Sequence, residues 1–316
     1  MATQLLEAIE ASLKELNKVI LGKEQQVRLA LTCILAGGHL LVEDLPGMGK
    51  TTLAHGLSNV LGLDYNRVQF TSDLLPADLI GASVFNAKSS SFSFHRGPIF
   101  SSVFLADELN RATPKAQSAL LEAMEEGQVS VDGKTYPLPN EFFVIATQNP
   151  QSQSGTFPLP ESQLDRFMFR LSLGYPDPIV ERELLKGGKG RVALNQIKQT
   201  FNADSLQQIK RLIPQVKVSE TLLDYVQRLI AQTRNGDICH LGLSPRGGLA
   251  LMKSSQCWAL LQGRTHVLPE DVQAVFVAVV GHRIVGKKET QGDQLARHIL
   301  HSVDSVGNRA SASASA

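Results

Sequence analysis

The run Pro46-Gly47-Met48-Gly49-Lys50-Thr51-Thr52 concentrates glycine, one lysine and two hydroxyls between an apolar stretch and a helical one. That setting suits a bound phosphate. Glycines let the backbone wrap around the oxygens, and N–H groups at a helix start point at them. Lys50 is placed to reach β- and γ-phosphates, and the Thr51 hydroxyl to bind Mg²⁺. The full pattern GxxxxGK[ST] asks for glycine at position 44, where this chain has Asp44. The beginning of the loop is therefore expected to differ in shape, with Gly47, Gly49, Lys50 and Thr51 still able to hold phosphate.

A second group is Ser102-Val103-Phe104-Leu105-Ala106-Asp107-Glu108, an apolar strand ending in two carboxylates. Acidic pairs after strands are usually solvated loop charges. Downstream of a phosphate loop the same pair reads as a Walker B arrangement. Asp107 then holds Mg²⁺, directly or through water, and Glu108 polarises an attacking water as general base. A third group, Phe143-Val144-Ile145-Ala146-Thr147-Gln148-Asn149-Pro150, is a buried strand ending in polar residues. Ligands of parallel sheets sit outside the carboxyl ends of the strands. Asn149 is thus placed to orient the lytic water or touch the γ-phosphate, although a lone Asn-Pro is otherwise a turn initiator.

The elements that must position these groups follow from periodicity. Leu5, Ile9, Leu13 and Leu16 recur at helical spacing, and a second helix is expected from Lys23 to Ala36, stopped by Gly37-Gly38. Strands are expected at His39–Glu43, Arg67–Phe70, Ser102–Ala106, Phe142–Ala146 and Met168–Leu173. Helices are expected at Thr51–Leu61 and Pro114–Glu126. Alternating strands and helices predict a largely parallel sheet covered on both faces. Two hairpins interrupt it, Val84–Phe94 and Gln128–Leu138, the second carrying an Asp132-Gly133 turn.

After Tyr175-Pro176-Asp177-Pro178 no convincing strand remains. Helices are expected at Ile179–Lys186, Ser205–Leu212, Glu220–Thr233, Pro245–Leu261 and Pro269–His282, which reads as a smaller all-α domain. Trp258 and Phe276 read as its core anchors. The Ser/Ala alternation at the end of the chain reads as a disordered tail. The sequence therefore divides into 1–176, 177–302 and 303–316.

Composition narrows the class. The chain has 316 residues, 43% hydrophobic and 19% charged, with a net charge of +1. That fits a soluble two-domain protein and excludes a broadly polybasic one. Cys33, Cys239 and Cys257 form no CxxC pair, so a disulfide scaffold or zinc ribbon is not expected. His298 and His301 share a helix face without a third ligand and read as surface residues. No secretory signal and no span of about 20 apolar residues is found. The expected location is cytoplasmic.

These motifs resemble the AAA+ ATPases, and within them the MoxR family, from about Val19 to about Val285. The resemblance rests on Val42 to Thr51, Leu105 to Ala112 and Gln117 to Glu125. It rests also on Ala146 to Pro150 and Leu159 to Phe167. It implies a P-loop αβα domain on a parallel five-stranded sheet followed by a small helical lid. It implies ATP and Mg²⁺ as cofactors, a hexameric ring, and chaperone-like work on client proteins, often one with a von Willebrand factor A (VWA) domain. Asn149 matches sensor 1. Arg166, in Leu164-Asp165-Arg166-Phe167, matches the arginine finger offered to a neighbouring subunit, with Arg170 and Arg111 as rivals. Arg246 matches sensor 2 on the lid, the alternative being a solvated helix arginine. Ile20 and Gly22 sit where the adenine pocket usually starts. The hairpins match the helix-2 insert and the pre-sensor-1 hairpin, which face the centre of the ring.

Three other readings share the architecture: a nucleic-acid motor, a chelatase-type metal-insertion subunit, and a scaffold that binds ATP but rarely hydrolyses it. The first is disfavoured because Lys134 is the only basic residue of its hairpin.

Overall fold

The computed structural model describes residues 2–88, 90–149, 155–186, 194–287 and 291–305. Its contacts divide the chain into two units, Met1–Gln207 and Gln208–Ala316.

In the first unit, α1 (Ala2–Asn17) and α2 (Glu24–Leu35) lead into β1 (Leu40–Glu43), and α3 (Lys50–Leu61) follows the phosphate loop. Then come β2 (Tyr65–Gln69), α4 (Pro76–Ile80) and the hairpin β3 (Gly81–Asn86) with β4 (Ser91–Arg96). Next are β5 (Val103–Asp107), α5 (Pro114–Glu126) and the hairpin β6 (Gln128–Val131) with β7 (Lys134–Pro137). The unit continues through β8 (Phe143–Gln148), α6 (Glu161–Leu164), β9 (Phe169–Leu171) and α7 (Pro178–Leu185).

The five expected core strands form one sheet in the order β2-β5-β8-β1-β9, and every pairing is parallel. β5 and β8 are buried throughout, as expected of apolar runs covered on both faces. They run further than the sequence suggested, to Asp107 and Gln148, because pairing continues there as Gln69↔Asp107 and Glu43↔Gln148. The carboxyl ends of β1, β5 and β8 therefore lie side by side, and the three motif loops leave from one edge. Leu5, Ile9, Leu13 and Leu16 of α1 are all buried, which the helical spacing required.

Both hairpins form. Asp132 and Gly133 have φ of 49° and 74°, the two left-handed residues of a tight turn that matches strand twist. Phe94 stacks on Tyr136 with ring centroids 4.1 Å apart, joining the two hairpins. Phe85 and Phe92 pair near the tip of the first and are exposed.

The second unit carries the helices Glu220–Thr233, Pro245–Leu261, Pro269–Val280 and Gly292–Ser302. Trp258 and Phe276 are buried, as core anchors should be, and His298 and His301 are exposed. The expectation of a purely helical unit needs one correction. Cys239–Leu241 and Val285–Gly286 pair as a short antiparallel ladder. Segments this short carry no alternation to read, and their partner is distant in sequence. The Tyr175–Pro178 stretch lies within the first unit. Tail residues beyond Ser305 lie outside the described residues. All three cysteines are buried and none forms a disulfide, and burial pushes the Cys239 thiol pKa up. Among the described residues no helix is long and apolar enough to cross a membrane.

Candidate nucleotide site

The loop after β1 takes the shape its glycines permit. Gly47 and Gly49 have φ of 84° and 89°, where an L side chain is strained, and Gly49 precedes the first residue of α3. Lys50 Nζ donates to the carbonyl oxygen of Asp44 at 2.7 Å. A longer contact of 3.4 Å reaches the Gln148 carbonyl. Burial lowers the Lys50 pKa, and the Asp44, Asp107 and Glu108 carboxylates pull it back up.

Asp44 explains the missing glycine. Its side chain is buried and turns toward the segment after β9. The carboxylate accepts hydrogen bonds from the Leu173 N–H, from the Gly174 N–H at 3.1 Å and from Ser172 Oγ at 3.2 Å. The loop is thus tied by the Asp44 side chain to the end of β9, while the Asp44 backbone carbonyl receives Lys50.

The two carboxylates at the end of β5 are already bonded. Asp107 Oδ1 accepts from Thr147 Oγ1 at 2.6 Å, and Thr147 Oγ1 in turn accepts from the Glu108 N–H at 2.9 Å. One hydroxyl, donating once and accepting once, fixes both acidic residues. Asp107 Oδ2 accepts from Arg67 Nη2 at 2.6 Å and from Arg67 Nε at 3.1 Å. Glu108, held at a left-handed φ of 56°, accepts on Oε2 from Gln69 Nε2 at 2.9 Å and Arg111 Nη1 at 2.8 Å.

Pro46, Gly47, Gly49, Lys50, Thr51, Thr52, Asp107, Glu108 and Asn149 line one cleft of about 470 Å³. Met48 belongs to the same loop but does not line the cleft. Ile20 is buried behind the loop, its Cδ1 3.8 Å from where a Gly49 Cβ would stand. Gly22 has φ of 69°, and a Cβ there would meet Val180 of α7 at 2.9 Å.

Arg166, Arg170 and Arg111 do not line the cleft. Arg166 donates to the Leu121 carbonyl and pairs with Glu125 of α5 at 2.8 Å, outside the cleft lining. Arg170 pairs with Glu43 at 3.2 Å. Arg111 is taken by Glu108 of the same chain. Arg246 is exposed in the first turn of the Pro245–Leu261 helix, whose Ser244 cap accepts from the Gly247 N–H at 3.0 Å.

Sequence reasoning missed Arg67, Gln69 and Thr147. Arg67 and Gln69 share one face of the edge strand β2 and also line the cleft. Two polar residues alternating on a short strand beside Walker B were the available signal. Thr147, buried inside an apolar strand, was the other. The Thr51 hydroxyl and the Asp107 carboxylate form an all-oxygen donor set on the cleft, which together with phosphate oxygens suits Mg²⁺.

Comparison with known proteins places the fold in a family. Residues 39–169 match the ATPase family associated with various cellular activities (AAA), and residues 231–302 match the AAA lid domain. The chain is 36% identical to Chaperone MoxR1 of Mycobacterium tuberculosis, over 92% of this chain and 79% of that one. It is 32% identical to Protein MoxR of Paracoccus denitrificans, over 85% and 86%. It is 41% identical to the uncharacterized protein YeaC of Bacillus subtilis, over 92% and 93%. A crystal structure of a Cytophaga hutchinsonii protein assigned as an ATPase superposes with a TM-score of 0.87 at 35% identity, covering 96% of both chains.

Proposed function

Since the chain belongs to the MoxR family of AAA+ ATPases, we propose that it binds ATP in the cleft behind Gly49 and hydrolyses it to remodel client proteins. The observation that carries this reading is convergence. Lys50, Thr51, Asp107, Glu108 and Asn149, from three separate strand ends, face one space.

Each residue has a role its position supports. The loop N–H groups and Lys50 hold the phosphates. Thr51 and Asp107 would hold Mg²⁺, which when bound neutralises charge on the phosphoryl oxygens. Glu108 takes the proton of the attacking water once its hydrogen bonds to Gln69 and Arg111 open. Asn149 orients that water. Ile20 and Gly22 border the adenine end.

Arg166 acts in trans on the γ-phosphoryl of a neighbouring subunit in a hexameric ring, a contribution of about 10³–10⁵ in rate for such a residue. To do so it must exchange Glu125 for phosphate. Arg246 senses the same phosphate from the lid, which begins at about residue 177. Loss of the γ-phosphate releases both arginines, and that release is the signal passed to the lid. The work is chaperone-like, on a cytoplasmic client such as a VWA-domain protein.

The test is direct. Lys50→Ala should abolish ATP binding in calorimetry, and Glu108→Gln should retain binding but lose turnover. Equal turnover in Glu108→Gln and the parent would favour a scaffold, and unchanged affinity in Lys50→Ala would contradict the cleft assignment.

A further inference from the structure

Arg67 is bonded to the carboxylate proposed to hold Mg²⁺. Its guanidinium places two N–H groups, at 2.6 and 3.1 Å, on one oxygen of Asp107, while Thr147 holds the other. Both oxygens of Asp107 are therefore engaged, Oδ2 twice and Oδ1 once. The Asp107 side chain is 11% exposed and that of Arg67 is 47% exposed, so the acid is fixed and the base sits at the solvent edge. Arg67 Nη2 also donates to Gln69 Oε1 at 3.3 Å, and Gln69 Nε2 donates onward to Glu108. A positive charge on Asp107 is therefore linked by one side-chain amide to the carboxylate assigned as general base.

We propose that Arg67 is the resident counter-cation of Asp107. It neutralises the carboxylate before loading and must withdraw before Asp107 can serve a Mg²⁺-bound nucleotide. Arg67 thereby sets the Mg²⁺ concentration at which the site loads, and its departure removes one hydrogen bond from the Gln69 amide that holds Glu108. The inference rests on the nucleotide reading of the cleft. It follows from charge: a guanidinium and a divalent cation repel, and a desolvated carboxylate cannot be left without either. Arg67 is free enough for the exchange because it lies on an edge strand with about half its side chain in solvent.

The experiment is a MgCl₂ titration into the full chain saturated with ADP, followed by calorimetry. It uses the parent, Arg67→Gln and Arg67→Lys. In Arg67→Gln the half-saturating Mg²⁺ concentration should fall roughly tenfold. That is the order expected when a half-exposed, solvent-screened unit charge beside a divalent-cation site is removed. ADP affinity measured in EDTA should not tighten. Arg67→Lys, which keeps the charge, should move less. In the parent, the Arg67 Nε–H resonance should shift when MgCl₂ is added to the ADP complex. An unmoved midpoint in a folded Arg67→Gln protein, or an Nε–H signal unchanged by MgCl₂, would overturn the proposal. The two readings fail separately. ADP binding indifferent to Lys50→Ala removes the site, and the Arg67 role with it. Lys50-dependent binding with an unmoved Mg²⁺ midpoint removes Arg67 alone.

Discussion

Replacing Asp44 by glycine completes the GxxxxGK[ST] pattern, and the structure says the result is a weaker protein. The Asp44 carboxylate receives the Leu173 N–H, the Gly174 N–H and Ser172 Oγ, in a buried setting. Hydrogen bonds to a charged group contribute about 1.5–3 kcal/mol each, and a buried N–H left unpaired costs about 1–3 kcal/mol. A flexible glycine adds roughly 0.5–1 kcal/mol. Relief from desolvating a carboxylate offsets part of this. The balance is a loss of about 2–4 kcal/mol. For a unit of this size a kilocalorie moves the melting temperature by about 2–4 °C, so Asp44→Gly should melt roughly 4–16 °C below the parent.

The same substitution spares the phosphate contacts. Lys50 donates to the backbone carbonyl of residue 44, which glycine retains. Circular-dichroism melting and nucleotide calorimetry separate the two effects: stability falls steeply and affinity falls less. Asp44→Asn, which keeps one acceptor oxygen, should lie between. An Asp44→Gly protein that melts at or above the parent would refute the anchoring argument.

Two further outcomes follow from the same geometry. The Lys50 pKa is held below its ordinary value by burial, and the charge of a bound triphosphate would raise it. Between those two values binding must take up a proton, so the calorimetric enthalpy should vary with buffer ionisation enthalpy in the direction of uptake; a buffer-independent enthalpy there would count against it. Arg166→Ala should bind ATP without turning it over, and mixing it with Glu108→Gln should recover part of the activity, since each supplies the half-site the other lacks. Absence of recovery at every mixing ratio would remove the trans role.

What the sequence made legible is what lies close together along it. The phosphate loop, Asp107-Glu108 and the strand before Asn149 each announce themselves within a short stretch, and the parallel sheet followed from apolar runs spaced by helices. Strand ends were read short, because Asp107 and Gln148 are polar and their place in the ladder depends on neighbouring strands. Asp44 looked like a gap in a pattern, since its partners Ser172–Gly174 lie on another strand's exit. Arg67 was invisible for the same reason: its meaning comes from a β2–β5 register that no local spacing encodes. The short ladder of the second unit also depends on a distant partner.

Four arginines of the first unit share one condition. Arg67 is bonded to Asp107, Arg111 to Glu108, Arg166 to Glu125 and Arg170 to Glu43. On the proposed reading, loading and hydrolysis would be exchanges of ion pairs, and the cost of each exchange scales with burial. The Arg166–Glu125 side chains are 27% and 41% exposed, so their pair contributes about 1 kcal/mol or less and is easily given up to phosphate. Asp107 is far more enclosed, so releasing Arg67 without an arriving cation would leave a desolvated charge. Under the proposed roles an order follows: Arg67 would leave only as the cation arrives, whereas the more exposed Arg166–Glu125 pair could open beforehand. Commitment would then be set at Asp107, with Arg166, if it is the finger, adding rate to a site already balanced in charge.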